Sequence, residues 1–310
     1  MNEALKNILK SIPFVRNTLN NYQLSHNKNG IASYRITKRK IQRFIDLLNN
    51  DYPQVHINLL CIGARGGWNN CSIAVQNIWG ALANFNNKTT YGIEPEPSEA
   101  ERLLKSGEFD KIYPYAIYNH TGPATLYITN WIGCSGITEP NTEFLNQYHS
   151  EWADWWTTTK TASVQVKAPQ DILEDIPYDY CNSGLMGPEY EIFSAMHDSF
   201  FQRSTCIQLL THAIPFYKNQ HTFGDIFNFF KDKHFIPISI VKNPLFSDLE
   251  VHHTLTFVKS PTEIKTLDQL LKHCLIGMML QKPYYVSYLL NKFRSLFPNE
   301  QAYRKIWRYV

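Results

Sequence analysis

The chain has 310 residues, 44% of them hydrophobic and 18% charged, with a net charge of +3. This composition predicts a compact globular protein and excludes extended disorder. No run of Lys or Arg exceeds the three residues 38–40, which argues against a dedicated nucleic-acid binder and favours a small-molecule partner.

The six cysteines include no CxxC pair, which predicts neither a disulfide framework nor a zinc site and favours the reduced cytoplasm. No segment has the length of a transmembrane span, so we expect a protein without one.

The first twenty residues have hydrophobic side chains at helical spacing, which predicts an amphipathic helix. Two interpretations remain open for this helix: packing against the domain, or lying on an anionic membrane as a peripheral contact. A second helix is predicted over 41–48, before Pro53.

Hydrophobic runs then alternate with helical patterns, which predicts an α/β fold with a mostly parallel, doubly wound sheet. We expect N-terminal helices over 1–50, a Rossmann-like domain over 51–245, and a strand with a helical tail over 246–310. Strands are predicted over 57–62, 90–93, 112–117, 125–129, 163–166, 178–181, 206–211, 236–241 and 255–258, and helices over 72–84, 98–105, 189–201, 223–233, 267–279 and 284–297.

A loop with three glycines follows the first strand. Gly63, Gly66 and Gly67 permit positive φ and allow a ligand to approach the backbone, although such turns also occur for structural reasons alone. Glu94 ends the second strand, where a carboxylate can accept hydrogen bonds from the hydroxyls of a ribose. The alternative is that Glu94 or Glu96 favours the N-terminus of the next helix.

These motifs resemble the FkbM-type methyltransferases, whose members show a VGARGG loop followed by FEPDPxEAxRL. The similarity continues to a GCSSLxxPN-like segment and a PLYxxQxxF-like segment. Matching segments lie at 62–67, 92–103, 115–117, 125–129, 133–136, 139–141 and 215–223, within about residues 55–260.

The resemblance implies the Rossmann-like class I fold and S-adenosylmethionine as cofactor. Family members typically O-methylate sugars or hydroxylated natural products, so the implied substrate is a sugar or glycan hydroxyl. The implied cofactor-binding residues are Gly63, Ala64, Arg65, Gly66, Gly67, Glu94 and Pro95, with Ser135 near the cofactor or the substrate.

The chain also departs from the family pattern. Cys61 replaces an Asp before the glycine loop, and Asn182, Gly184 and Met186 replace the Lys, Asp and Gln of the central element. Asn182 is a candidate catalytic residue because of this position. These losses favour a second hypothesis, a non-catalytic protein that binds the cofactor or a protein partner.

His212 is the other candidate catalytic residue, because a histidine with an unshifted pKa can act as a general base. Its alternative is a structural role.

The pair His252 and His253 lacks metal-ligand spacing and is predicted to lie in a turn, so no metal site is expected. Trp152, Trp155 and Trp156 could stack on a sugar or pack in a core. A GARGG loop disfavours an NAD-type oxidoreductase, which would show GxGxxG.

Overall fold

The computed structural model describes residues 36–68, 82, 84–174, 177–242 and 251–294. The predicted helix over 1–20, and with it any membrane contact, lies outside the described residues, as does nearly all of the predicted helix over 72–84. None of the helices in the described ranges combines the length and hydrophobicity needed to cross a bilayer.

The described strands are Ile57–Ile62 (β1), Lys88–Ile93 (β2), Lys111–Tyr113 (β3), Ala116–Ile117 (β4), Gly122–Thr129 (β5), Thr158–Lys167 (β6), Tyr180–Ser183 (β7), Cys206–His212 (β8), Phe235–Lys242 (β9) and His252–Lys259 (β10). The described helices are Lys38–Asp51 (α1), Pro97–Lys105 (α2), Thr142–Leu145 (α3), Ser150–Trp155 (α4), Pro169–Ile172 (α5), Glu189–Ser194 (α6), Asp198–Arg203 (α7), Phe223–Asp232 (α8), Leu267–Met279 (α9) and Pro283–Lys292 (α10).

Seven strands form the main sheet in the order β3-β2-β1-β7-β8-β10-β9. The first five run parallel to one another, and β10 runs antiparallel to both β8 and β9. The chain starts in the centre at β1, moves outward to β3, and then crosses to build the other half. The predicted α/β fold with a mostly parallel, doubly wound sheet is therefore confirmed.

The central strand β1 is buried on both faces, as expected for a parallel strand with a continuous hydrophobic run. Ile57, Leu59 and Cys61 pack in a core shared with α1, α2, α9 and α10. Leu60 and Ile62 point to the opposite face and pack with residues of α6, α7 and α8. The alternation follows from the two-residue period of a strand.

A buried ion pair joins α9 to the amino ends of two central strands. Lys272 Nζ lies 3.0 Å from Asp179 Oδ1, and their side chains are 10% and 3% exposed. The other carboxylate oxygen of Asp179 accepts the Asn58 N–H at 2.9 Å. Burial raises the pKa of Asp179 to about 6, against the opposing effect of Lys272.

An insertion between β3 and β7 carries a three-stranded sheet of order β4-β6-β5. The predicted strand over 112–117 is wrong as a single unit: a turn in which the Tyr115 N–H donates to Tyr113 O separates β3 from β4, and only β3 joins the main sheet. The insertion contacts the loop after β8, because Tyr217 donates its O–H to Cys134 O at 3.1 Å.

The tryptophan cluster lies in the insertion and follows the core alternative for two of its three members. Trp152 and Trp156 are 7% and 0% exposed and pack with Phe216 and Tyr217. Trp155 is partly buried against the same cluster. Packing of these rings attaches the insertion to the loop after β8.

Two other sequence predictions require correction. The helix predicted over 189–201 is two helices, α6 and α7, and the His197 ring nitrogen accepts the Ser199 N–H at the start of α7. His252 and His253 were expected in a turn but lie in β10, where both are buried.

Cysteines of the described chain are buried free thiols. They are Cys61, Cys134, Cys181, Cys206 and Cys274. Burial raises the pKa of each of Cys134, Cys181, Cys206 and Cys274, which keeps these four thiols protonated.

Candidate functional site

The loop after β1 turns sharply at the carboxyl edge of the sheet. Gly63, Gly66 and Gly67 have φ values of +77°, +78° and +71°, a left-handed conformation that glycine adopts at low cost. The N–H groups of Gly63 and Ala64 both donate to Ile93 O, at 3.1 and 2.9 Å. The loop therefore begins attached to the end of β2.

Two carboxylates that sequence reasoning missed hold the rest of this loop. Glu99 Oε1 accepts the Gly66 N–H at 2.8 Å, and Glu108 Oε2 accepts the Trp68 N–H at 3.0 Å. Arg102 in turn donates to both oxygens of Glu99 at 2.7 Å. The sequence gives no signal for these two contacts, because hydrogen bonds between a loop and distant side chains leave no periodic pattern.

We expect Glu99→Gln to lower the free energy of unfolding at pH 7 by about 1.5 kcal/mol, since it removes charge-assisted hydrogen bonds. The Arg102 hydrogen bonds and the Gly66 N–H lower the pKa of Glu99 to about 2. A carboxylate with a lowered folded-state pKa stabilises above its unfolded pKa, and the contribution is lost as the pH falls from about 4.5 towards 2.

Urea unfolding of the wild type and of Glu99→Gln, at pH 7 and at about pH 3.5, measures this loss of stability. The exposed Glu101, paired with Lys105 on the same helix, provides a matched control as Glu101→Gln. Equal destabilisation by the two variants at pH 7 would contradict the role of Glu99 in the loop.

Glu94 lies where the sequence predicted it, at the end of β2 and beside the glycine loop. It is 3% exposed, and its Oε1 accepts the Glu96 N–H at 3.0 Å. Within the described chain its second carboxylate oxygen accepts no hydrogen bond. Burial raises the pKa of Glu94, while the Glu96 N–H and the charge of Arg65 oppose this effect.

The other acidic residue of this segment follows the alternative interpretation. Glu96 is the N-cap of α2, and its side chain accepts the Ser98 N–H. The helix terminus thus uses Glu96, which leaves the free oxygen of Glu94 available for a ligand. Of these two glutamates, Glu96 therefore caps α2 and Glu94 is the candidate for ligand binding.

The remaining predicted cofactor residues differ in position. Arg65 and Pro95 are exposed at the same edge as Glu94. Ser135 lies in the insertion, where its hydroxyl oxygen accepts the Thr129 N–H at 3.0 Å. Its contact with a cofactor stays a prediction, as do those of the loop residues.

Asn182 lies on β7 beside Cys61, its partner in the register of β1. Its Nδ2 donates to Cys61 Sγ at 3.7 Å, and the residue is 5% exposed. The predicted catalytic residue Asn182 is therefore in contact with Cys61. Sulfur is a weak acceptor, so this hydrogen bond is weak.

His212 is a core residue at the end of β8. It is 1% exposed, contacts Phe216 with ring centroids 4.3 Å apart, and pairs in register with His252. Its Nδ1 lies 2.8 Å from Gln220 Nε2. Burial lowers its pKa well below the ordinary value, with the nearby His252 and His253 adding to the effect. The expectation of an unshifted pKa is wrong.

The loop after β7 contacts both the end of β1 with its glycine loop and the loop after β8. Gly184 donates its N–H to Ile62 O at 2.9 Å, and a Cβ on Gly63 would lie 3.0 Å from Leu185 Cδ2. Gly187 has φ +111°, and a Cβ there would lie 2.8 Å from the Tyr217 ring. Close backbone approach therefore fixes this loop at both ends.

Among the described side chains, no group of three or more His, Cys, Asp or Glu is arranged to hold a metal ion. The histidines of β8 and β10 share a region with aromatic rings rather than with carboxylates.

No family model matches the sequence, and no curated protein is similar to it. Among solved structures, magnesium protoporphyrin IX methyltransferase from Synechocystis PCC 6803, with bound S-adenosylmethionine, is 14% identical and has a TM-score of 0.31, covering 72% of this chain and 79% of that one. A 1,6-didemethyltoxoflavin-N1-methyltransferase from Burkholderia thailandensis is 9% identical with a TM-score of 0.32, covering 83% and 90%. A putative methyltransferase from Thermoplasma acidophilum is 8% identical with a TM-score of 0.32, covering 66% and 69%. At these values the fold class rests on strand order and strand direction.

Proposed function

We propose that the chain is an S-adenosylmethionine-dependent methyltransferase of the FkbM type that methylates a hydroxyl of a sugar or glycan in the cytoplasm. Glu94 is the observation that carries the proposal. It is a buried carboxylate with one oxygen not hydrogen-bonded within the described chain, located at the tip of β2 beside a left-handed glycine loop.

The residues present fit a nucleoside cofactor. The free oxygen of Glu94 would accept hydrogen bonds from the ribose hydroxyls, and the Gly63–Gly67 segment would allow the ligand to approach the backbone. Arg65, exposed beside Glu94, would offer a cation to the carboxylate of the amino-acid part. The cofactor, when bound, supplies an electrophilic methyl group.

Calorimetric titration with S-adenosylmethionine and with S-adenosylhomocysteine tests the proposal. We expect micromolar binding to the wild type, weakened at least about 10-fold by Glu94→Gln because an amide replaces one acceptor oxygen. Glu96→Gln is the matched control, since this N-cap glutamate lies two residues away and is more exposed. No heat and no thermal stabilisation of the wild type by either ligand would refute the proposal.

A second candidate is a cofactor-binding protein without catalytic activity. The contact between Asn182 and Cys61 favours it, because two neutral residues stand where the FkbM-type pattern, which the sequence resembles, has a Lys and an Asp. This candidate predicts normal binding of S-adenosylmethionine that depends on Glu94, without formation of S-adenosylhomocysteine in the presence of hydroxylated acceptors.

A further inference from the structure

A group of four side chains at the carboxyl edge is not used by the cofactor site: Tyr190, Glu191, His221 and Asp225. The rings of Tyr190 and His221 stack with centroids 3.7 Å apart and an interplanar angle of 24°. His221 Nε2 lies 3.9 Å from Glu191 Oε1, and its Nδ1 lies 3.9 Å from Asp225 Oδ2. The imidazole is thus oriented by stacking and by two carboxylates, yet its side chain remains 41% exposed.

Glu191 and the nearby Glu189 of the same helix each have one buried carboxyl oxygen without a hydrogen-bond donor in the described chain. Glu191 Oε2 is buried without a partner, and so is Oε1 of Glu189, a residue that is only 3% exposed. The other oxygen of Glu189 accepts the Gly187 N–H at 2.9 Å. A buried carboxyl oxygen without a hydrogen-bond partner is costly, so Glu191 Oε2 points to a ligand that brings an O–H or N–H group.

The group lies at the same edge of the sheet as the glycine loop. Glu191 belongs to the first turn of α6 after β7, and His221 belongs to the loop after β8. The β7 loop that leads to α6 contacts the glycine loop through the Gly184 hydrogen bond and Leu185. Because β1, β7 and β8 are adjacent and parallel, the group and the proposed cofactor site share one edge.

A surface groove of about 390 Å³ opens beside His221. It combines aromatic faces with carboxylate, amide and ammonium groups. Its lining is Tyr190, His221, Asp225, Asn228, Phe229, Asp232 and Lys233. Apolar rings next to several hydrogen-bonding groups are suited to a hydroxyl-rich ring.

We propose that Glu191 and His221 form the acceptor subsite, in which His221 takes the proton of the acceptor hydroxyl. The assignment rests on the proposed methyltransferase function. The acceptor oxygen forms a bond to the methyl carbon while the sulfur–methyl bond breaks and leaves a neutral thioether. The hydroxyl proton passes to the imidazole, and Glu191 stabilises the imidazolium that forms.

Sinefungin tests this assignment without a known acceptor, because it carries an amine where S-adenosylmethionine carries the methyl sulfonium. A carboxylate that faces the transferred group should favour the ammonium of sinefungin over neutral S-adenosylhomocysteine. We expect the wild type to bind sinefungin more tightly than S-adenosylhomocysteine, and Glu191→Gln to reduce this preference about 10-fold. Affinity for S-adenosylhomocysteine itself should change less than about twofold.

The exposed Glu143 of the insertion provides a control as Glu143→Gln, which should leave the preference unchanged. An unchanged preference in Glu191→Gln, with binding of S-adenosylhomocysteine intact, would overturn the subsite. Failure of the wild type to bind either ligand would overturn the proposed function and the subsite with it.

His221→Phe keeps an aromatic ring against Tyr190 and removes the proton-accepting nitrogens. With the polar small-molecule fraction of a cell extract as acceptor, we expect it to lower S-adenosylhomocysteine formation about 100-fold while the affinity for S-adenosylhomocysteine is retained. Equal rates in the two proteins, or no product from a wild type that binds S-adenosylmethionine, would overturn the role of His221.

Discussion

Replacing Lys272 by methionine should lower the free energy of unfolding at pH 8 by about 3 kcal/mol, the low end of the cost of breaking a buried ion pair. The ammonium is the cation in contact with the 3% exposed carboxylate of Asp179, at 3.0 Å. Methionine preserves the length of the stem, so the loss is mainly electrostatic. The charge on Asp179 would then be buried without its counter-ion.

The pKa of Asp179 determines how the destabilisation by Lys272→Met changes with pH. The folded-state pKa of Asp179 is already raised from 3.8 to about 6, so the ionised carboxylate disfavours the folded state and the penalty grows as the pH rises through this range. Loss of Lys272 raises the pKa further. The destabilisation by Lys272→Met should therefore be smaller at pH 5, where Asp179 is largely protonated in both proteins, than at pH 8.

Denaturant unfolding at the two pH values measures both effects. Lys265→Met is the control, since Lys265 is 75% exposed and lies 3.9 Å from Glu263. We expect it to change stability by less than about 0.5 kcal/mol. The double variant Lys272→Met, Asp179→Asn should recover part of the loss, because the asparagine oxygen still accepts the Asn58 N–H. A loss below about 1 kcal/mol for Lys272→Met at pH 8 would contradict the buried pair.

Gly187→Ala should cost about 3 kcal/mol, from a strained backbone and from overpacking. The φ of +111° disfavours any side chain, and the new Cβ would lie 2.8 Å from the ring of Tyr217. That ring is buried and held by its hydrogen bond to Cys134 O, so it has little room to move. The β7 loop would shift instead, and Glu189 would lose the Gly187 N–H.

Gly107→Ala separates the two contributions. Gly107 also has a positive φ, +73°, but a Cβ there would have no atom within 4 Å. We expect it to cost about 1 kcal/mol, the backbone contribution alone. Thermal or urea unfolding of the two variants gives the difference. If Gly187→Ala is no more destabilising than Gly107→Ala, the contact with Tyr217 is not a constraint.

Local signals predicted the parts of the site that depend on one strand end. The run Ile57–Ile62 is buried on both faces and its bounds are those predicted, because a hydrophobic run followed by glycines is a property of consecutive residues. Glu94 was located for the same reason. The positions of both follow from the rule that parallel strands end at one edge.

Pairings between distant segments were not accessible in this way. The residues of β10 carry no local pattern that predicts pairing of this strand with β8 and β9. The sequence therefore predicts a turn at His252 and His253, which is wrong. The carboxylates of Glu99 and Glu108 reach the glycine loop across 33 and 40 residues. The residue type of His212 alone predicts a general base. Its burial depends on side chains of β10 and of the loop after β8, which are distant in the sequence or have no periodic pattern.

Alkylation of the buried thiols can report local unfolding of the protein. Cys134 lies in the insertion, Cys61, Cys181 and Cys206 lie in the central sheet, and Cys274 lies in α9, all within the described chain. A protonated, inaccessible thiol reacts with an alkylating reagent only when its surroundings open. Mass spectrometry of the labelled peptides would therefore report, site by site, whether the insertion detaches before the sheet unfolds or together with it.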